Sequence, residues 1–142
     1  MKIFFYKYGS ICEPDISDSF RRLGFEVIDE DMEIYNKNLL PSQCVETVSK
    51  KLIDGQFTFV FTINFFPWLW GFFEIKHLKN ISLIVDSPVL ELYSYSLKND
   101  CNRIFLFDRC LYNEFEPFNQ GHIFHVPLAA DVNRIQNVIK NA

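Results

Sequence analysis

The sequence predicts a Rossmann-like α/β fold, a three-layer sandwich in which a mostly parallel sheet of five to six strands has helices on both faces. Short continuous apolar runs, typical of strands covered on both sides, recur along the chain. Segments with apolar residues at helical spacing alternate with them, which indicates βαβ units. With 142 residues, 49% of them apolar and 23% charged, the chain is expected to form one domain over residues 1–142.

The first half of the chain supplies three predicted strands and two predicted helices. A first helix is expected because Pro14 suits an early helical position and because Ile16, Phe20 and Leu23 recur at three- and four-residue spacing up to Gly24. Residues 30–40 are predicted to be a connection without regular structure. The strands are expected at 2–6, 25–29 and 57–63, and the second helix at 41–54.

The second half continues the alternation. The run ISLIVD, residues 81–86, is the clearest buried strand, and Ser87 and Pro88 predict a helix that continues through about Leu97. Asp108 is expected to cap a helix that runs through Tyr112 to Phe115. The remaining elements are predicted as a helical turn at 74–79, strands at 103–107 and 123–126, and a last helix at 132–139 after Asp131.

Composition excludes several classes of partner. The net charge is −4 and the 14 Lys and Arg residues are scattered, so no nucleic-acid partner is expected. Residues 57–73 carry no charge, but Asn64, Pro67 and Gly71 interrupt them, so no membrane span is expected. Four cysteines without a C-x-x-C pair favour reduced thiols in a cytoplasmic protein. His122 and His125 fall on opposite faces of a strand, so no metal site is expected.

Residues that follow the predicted strands form the candidate site. In a parallel α/β sheet, ligands bind outside the carboxyl ends of the strands at the topological switch point. The residues there mix aromatic rings with amide, hydroxyl and carboxylate groups, which suits a sugar or another polar organic ligand. The predicted substrate-binding residues are Tyr8, Gly9, Ser10, Asn64, Phe65, Ser87, Pro88, Asp108 and Arg109, and Asp86 is the predicted catalytic residue.

Each of these residue types has a structural alternative. Asp86 and Asp108 stand where a carboxylate caps the following helix as readily as it accepts hydroxyl groups from a ligand. The loop at Tyr8 to Ser10 lacks G-x-G-x-x-G and the G-x-x-x-x-G-K-[ST] phosphate motif, so nucleotide binding is weakly supported. A receiver domain would need an acidic pair at the end of the first strand, and FFYKYG has none.

Two further stretches leave alternatives open. The acidic run Glu26, Asp29, Glu30, Asp31 and Glu33 is interpreted as a solvated turn, with a ribose or metal site as the alternative, because no nearby residues supply convergent partners. A loop that carries Trp68, Trp70, Phe72 and Phe73 fits either core packing or the wall of a partner or ligand surface.

Several phrases carry a family resemblance. The stretches YGSICEPDI, FTINFFP, IVDSPVLELYS, NRIFLFDRCLYNEF and FHVPLA resemble the amino-terminal domain that precedes glycosyltransferase-like domains in bacterial proteins similar to CgeB, the spore-maturation protein. The similarity covers nearly the whole chain, and VDSP and FDR are its most specific parts. The resemblance implies a GT-B layout, in which this domain shapes the acceptor site and a carboxyl-terminal GT-B domain beyond Ala142 holds the nucleotide-sugar donor.

The first functional hypothesis is therefore the acceptor-side half of a bacterial glycosyltransferase, with a sugar, glycan or protein acceptor and with Asp86 as its general base. No cofactor is expected in this domain, and it is not expected to be active alone. The alternative is a non-catalytic module that binds a glycan or a protein, with the aromatic loop as its docking surface. A flavodoxin-like sensor of small molecules is the third hypothesis.

Overall fold

The computed structural model describes residues 1–69, 71 and 77–142. Six parallel strands form one sheet in the order β2-β1-β3-β4-β5-β6. The strands are β1 (Lys2–Tyr6), β2 (Glu26–Glu30), β3 (Phe59–Ile63), β4 (Lys79–Ile84), β5 (Asn102–Leu106) and β6 (Ile123–His125). The predicted parallel α/β architecture is confirmed, and the strand order is flavodoxin-like with one added edge strand.

Helices lie on both faces of this sheet. The described α-helices are α1 (Glu13–Arg22), α2 (Met32–Tyr35), α3 (Pro41–Asp54), α4 (Arg109–Phe115) and α5 (Val132–Asn141). On one face, Val48 and Leu52 of α3 pack against Phe4 and Val60. On the same face, Leu111 and Phe115 of α4 belong to the cluster that covers β4, β5 and β6. The opposite face packs Ile16 and Phe20 of α1 against Phe5 and Phe61.

The last helix is attached to α1 by its polar side. Arg134 pairs with Asp15 of α1 at 3.0 Å, and Asp131 pairs with Arg22 at 3.1 Å. The large aliphatic residues of α5 are exposed, namely Val132, Ile135, Val138 and Ile139. Among the described helices, none is both long enough and apolar enough to cross a bilayer.

The prediction of a helix that starts at Ser87 and Pro88 is wrong. Two 3-10 turns, Leu90–Tyr93 and Tyr95–Lys98, occupy this part of the chain. The side chain of Ser94 accepts a hydrogen bond from the backbone N–H of Ser96, and such a side-chain bond competes with helix propagation. The apolar residues Leu92 and Leu97 are nevertheless buried against the sheet.

Other boundaries differ by a few residues. The predicted connection at 30–40 contains the short helix α2. The strand predicted at 57–63 begins at Phe59, and the strand predicted to start at Ile81 begins at Lys79. Of the predicted turn at 74–79, residues 74–76 lie outside the described residues, as do Trp70, Phe72 and Phe73.

The acidic run is not a solvated turn. Glu30 is only 2% exposed and forms an ion pair with Lys51 of α3. Asp29 lies between Lys7, at 2.9 Å, and Arg21, at 2.6 Å. The prediction failed because these cations are remote in sequence and are brought to β2 by α1, β1 and α3.

Candidate ligand-binding site

The topological switch point of the sheet lies between β1 and β3. From β1 the chain continues to β2 at one edge of the sheet, whereas from β3 it continues to β4 in the direction of the other edge. The carboxyl ends of β1, β3 and β4 bring Tyr8, Asn64 and Asp86 into one hydrogen-bonded group. Asn64 donates from Nδ2 to the Tyr8 hydroxyl at 2.9 Å and to Asp86 Oδ2 at 2.6 Å. Its Oδ1 accepts from the backbone N–H of Val85 at 3.1 Å.

This arrangement leaves Asn64 without a free polar group, so its side chain holds the rim together. Asp86 is exposed, and its second carboxylate oxygen faces no described donor. Burial is the largest cause of a raised pKa for Tyr8, and the carboxylates of Asp86 and Glu13 add to it. The Tyr8 phenol is therefore protonated at neutral pH and can donate a hydrogen bond.

The other predicted residues divide into a second pair and several separate positions. Ser87 donates to Asp108 Oδ2 at 3.0 Å. Asp108 also caps α4, since its Oδ1 accepts from the backbone N–H groups of Cys110 at 2.7 Å and Leu111 at 3.4 Å. Arg109 and Pro88 are exposed beside this pair, and the Ser87–Pro88 peptide bond is cis.

Phe65 is a core residue and not a ligand contact. It is buried in the cluster that includes Ile84 and Leu106. Ser10 lies in the first loop, where its hydroxyl accepts from the backbone N–H of Cys12 at 3.4 Å. The structure thus brings Tyr8, Asn64 and Asp86 together, and places Phe65 inside the domain.

The loop after β1 is filled by a side chain of the protein itself. The buried carboxylate of Glu13 accepts from the backbone N–H of Tyr8 at 2.8 Å and from that of Gly9 at 3.1 and 3.2 Å. Gly9 has a φ of +105°, a conformation that glycine adopts readily. In dinucleotide-binding folds this loop offers its N–H groups to a phosphate. Here a carboxylate already occupies them, which argues against phosphate binding at this loop.

A small cavity lies beyond β1, under the segment that contains α2. It measures about 160 Å³ and is lined in part by Tyr6, Glu33, Cys44 and Trp68. Burial and the hydrogen bond to Glu33 raise the pKa of Tyr6, so its hydroxyl stays protonated. Ligand sites usually measure roughly 300–1,000 Å³, so this cavity is too small for an organic ligand of ordinary size.

A larger site lies on the α3 side of the sheet, which we name the aromatic groove. It measures about 530 Å³, within the usual range for ligand sites of roughly 300–1,000 Å³. Its lining combines two large rings with small polar side chains. Among the described residues these are Pro67, Trp68, Ser94, Tyr95, Ser96 and Asn99.

The two rings are held in different ways. Trp68 is half-buried and packs edge-on against Tyr6, with ring centroids 5.3 Å apart. Tyr95 is 87% exposed, although the segment that carries it is anchored. Buried Asn102 donates to the carbonyl oxygens of Ser96 at 2.7 Å and Leu97 at 3.2 Å.

A second buried amide completes this anchoring. Asn119 Nδ2 donates to the carbonyl oxygens of Leu97 at 2.7 Å and Asn99 at 3.1 Å. Unpaired buried polar groups are costly, so these bonds define the path of the segment. Because the backbone of this segment is already fixed, a ligand that stacks on Tyr95 has to order only its side chain.

Asn99 contributes the available polar group of the aromatic groove. Its Oδ1 accepts from the backbone N–H of Cys101 at 2.8 Å, which orients the amide. Its Nδ2 donates to no other residue in the described ranges. Ser94 and Ser96 bond to each other through their hydroxyls at 2.9 Å.

Sequence reasoning found only one wall of this groove. Trp68 was identified in the aromatic loop, but Tyr95 and Asn99 were assigned to a predicted helix and to the connection after it. The exposed Tyr pair in the segment LYSYSLK was the available signal, since helical spacing places Tyr93 and Tyr95 on different faces.

An open groove of about 630 Å³ between α1 and α5 is less suited to a ligand. Its charged lining is engaged within the protein, because Asp15 pairs with Arg134 and Arg22 pairs with Asp131. Across the residues that the structure describes, no group of three or more His, Cys, Asp or Glu side chains is arranged to hold a metal ion.

Comparison with known proteins gives few matches. No family model matches the chain, and no curated protein matches it. Among solved structures, the chain is similar to the response regulator TrrA from Thermotoga maritima, determined in complex with Mg²⁺-BeF. The identity is 14%, the alignment covers 99% of this chain and 96% of that chain, and the TM-score is 0.49.

These comparisons correct the family resemblance. No family model supports membership of the CgeB-like group, and no curated protein of that kind matches the chain. The interpretation as the amino-terminal half of a GT-B glycosyltransferase is therefore wrong, and the partner domain and the base role of Asp86 that it implied are withdrawn with it. The absence of a cofactor in this domain stays a prediction. At 14% identity and this TM-score, the similarity to TrrA says nothing about the function of this chain.

Proposed function

We propose that this chain is a non-catalytic glycan-binding module whose ligand lies in the aromatic groove. The observation that carries the proposal is the pairing of two ring walls, Trp68 and Tyr95, with the Nδ2 donor of Asn99, which bonds to no described acceptor, in one groove of about 530 Å³. Sugar rings present apolar C–H faces and hydroxyl edges. Aromatic faces cover the former, and a side-chain amide binds the latter.

The alternative sites support this choice by their chemistry. At the rim, Asn64 is fully engaged by Tyr8, Asp86 and the backbone of Val85. In the loop after β1, Glu13 occupies the backbone donors. In the aromatic groove a hydrogen-bond donor and a stacking surface are both accessible.

The test is an amide NMR titration of the whole chain with four neutral trisaccharides: cellotriose, maltotriose, triacetylchitotriose and galactotriose. We expect at least one of them to perturb the amides of Trp68, Tyr95 and Asn99 in a saturable manner. Perturbations confined to Gly9, Asn64 and Asp86 would place the site at the rim and contradict the proposal. No response to these four or to the acidic oligosaccharides trigalacturonate and 3′-sialyllactose would also contradict it, as would a response only to a proline-rich peptide.

Variants sharpen this test. Tyr95→Ala removes an exposed ring and is expected to weaken trisaccharide binding at least about fivefold, the effect of losing roughly 1 kcal/mol. Asn99→Asp keeps the oxygen that accepts from Cys101 but removes the free N–H donors, and is expected to weaken binding about two- to tenfold. Tyr35→Ala is the matched control, since Tyr35 of α2 is 82% exposed and lies outside the groove. It is expected to leave binding unchanged.

A further inference from the structure

A second groove adjoins the aromatic groove, and we name it the side groove. It measures about 250 Å³, and the two grooves share Ser94 and Tyr95 in their linings. Its other walls are mainly apolar, formed by Leu92, Tyr93, Leu97, Lys98, Phe115 and Phe118. A ligand longer than one sugar ring can therefore pass over Tyr95 from one groove into the other.

Lys98 gives the side groove a charge. Its ammonium lies 4.9 Å from the ring centroid of Tyr95 and 5.9 Å from that of Phe118. Within the described ranges it forms no ion pair with a carboxylate. Contact with the two ring faces holds the ammonium over them by cation–π attraction and does not use up its N–H donors.

One carboxylate is engaged at the wall of the side groove, since Glu114 accepts a hydrogen bond from the Tyr93 hydroxyl at 2.5 Å. The side groove thus combines apolar walls with a cation that is paired with no described carboxylate, and an anion that carries an apolar face complements both features.

On the basis of the glycan-binding function proposed above, we infer that the ligand is an acidic oligosaccharide. One sugar residue lies between Trp68 and Tyr95, and the carboxylate of the next residue contacts the ammonium of Lys98. Lys98 thus makes the site prefer acidic oligosaccharides over neutral ones.

Matched ligands test the charge alone. Trigalacturonate is compared with its neutral methyl ester, and 3′-sialyllactose with its methyl ester, by calorimetry and amide NMR at low salt. We expect the acid of at least one pair to bind about fivefold more tightly than its ester, the effect of an exposed ion pair worth about 1 kcal/mol. That preference is expected to decrease at 0.5 M salt because the ion pair is screened.

Two variants of the same residue identify the cation. Lys98→Gln is expected to abolish the preference for the acid while retaining ester binding, and Lys98→Arg is expected to keep the preference. Lys140→Gln, at an exposed lysine on α5, is the control and is expected to change neither affinity.

The outcomes separate the two proposals. Equal binding of acid and ester in both pairs, or a preference that survives in Lys98→Gln, overturns the acidic specificity and leaves the glycan-binding function standing. Failure of the wild-type chain to bind any of the acids, the esters or the four neutral trisaccharides overturns the glycan-binding function itself.

Discussion

The carboxylate of Glu13 accepts hydrogen bonds from the backbone N–H of Gly9 at 3.1 and 3.2 Å. A third bond, from the N–H of Tyr8 at 2.8 Å, completes this contact. Backbone donors that bind a phosphate in dinucleotide-binding folds are thus satisfied here from within the chain. Glu13, the first residue of α1, therefore stabilises the loop at the switch point.

Replacement of the Glu13 carboxylate by a neutral amide is expected to destabilise the protein. Glu13→Gln replaces the carboxylate with a neutral amide, so the bonds from Tyr8 and Gly9 lose their charge assistance. Even with the amide oxygen at the Oε1 position, the NH₂ group faces the N–H of Gly9 at the Oε2 position. We expect the free energy of unfolding to fall by about 1–3 kcal/mol, measured by urea denaturation followed by circular dichroism. Glu46→Gln, at an exposed position of α3, is the control, and equal losses in the two variants would contradict the interpretation.

At position 64, a glycine is expected to be tolerated better than an alanine. Its φ is +62°, a left-handed conformation that costs a residue with a Cβ roughly 1–2 kcal/mol relative to glycine. Both Asn64→Gly and Asn64→Ala lose the same hydrogen bonds, so the Gly variant is expected to be the more stable by about 1 kcal/mol. At Glu46, within α3, the order should reverse, because alanine favours a helix over glycine by about 1 kcal/mol. Thermal and urea unfolding of the four variants decide this, and an Ala variant more stable than the Gly variant at position 64 would refute it.

Asp29 predicts a pH dependence of stability. Burial alone would raise its pKa, but the hydrogen bonds and charges of Lys7 and Arg21 lower the pKa of Asp29 below its ordinary 3.8. A carboxylate with a lowered folded pKa stabilises the protein above its unfolded pKa and loses this contribution as the pH falls through the folded value. The difference in unfolding free energy between wild type and Asp29→Asn is therefore expected to be positive at pH 7.

That difference is expected to shrink progressively as the pH falls below about 4. Urea unfolding at pH 7, 5, 4 and 3 measures it. Asp18→Asn serves as the control, since the Asp18 side chain is 70% exposed and lies 3.7 Å from Arg21. A difference for Asp29→Asn that stays constant from pH 7 to 3 would show that its ion pairs contribute nothing.

Truncation of a core side chain on the α4 side of the sheet is expected to destabilise the protein strongly. Leu106 of β5 is fully buried in the cluster that includes Leu111 and Phe115. Leu106→Ala is expected to lower the free energy of unfolding by about 2–5 kcal/mol, through lost burial and the cavity left behind. Ile11→Ala, at a residue that is 91% exposed, is expected to change it by less than about 0.5 kcal/mol. Similar values for the two would contradict the assigned packing.

The elements that were predicted well are those whose pattern is local. The strand at 2–6 and the helix at 41–54 were predicted with the bounds observed, because continuous apolar runs and helical spacing are read within one segment. The helix predicted from Ser87 to Leu97 failed, because Ser94 and Asn102 provide hydrogen bonds that compete with the helical ones. Asn102 belongs to the next strand and could not be paired with this segment from the sequence.

The candidate site divides in the same way. The convergence of Tyr8, Asn64 and Asp86 could be predicted, because parallel strands bring their carboxyl ends to one edge. The engagement of Glu13 with the first loop and the meeting of Trp68 with Tyr95 could not. Both depend on how loops fold over the sheet, which side-chain contacts decide.

By itself, the sequence determined that apolar runs alternate with amphipathic helices. This alternation requires a parallel sheet covered on two faces, because each helix returns the chain to the end of the sheet where the previous strand began, and strands that are apolar on both sides must be covered on both sides. Only the tertiary structure decided which polar groups are consumed within the protein and which remain available. Asn64 and Glu13 are engaged, whereas Asn99 Nδ2 and the Lys98 ammonium are bound by no other described polar group. That difference arises from distances between residues far apart in the chain, and no local pattern of residues encodes it.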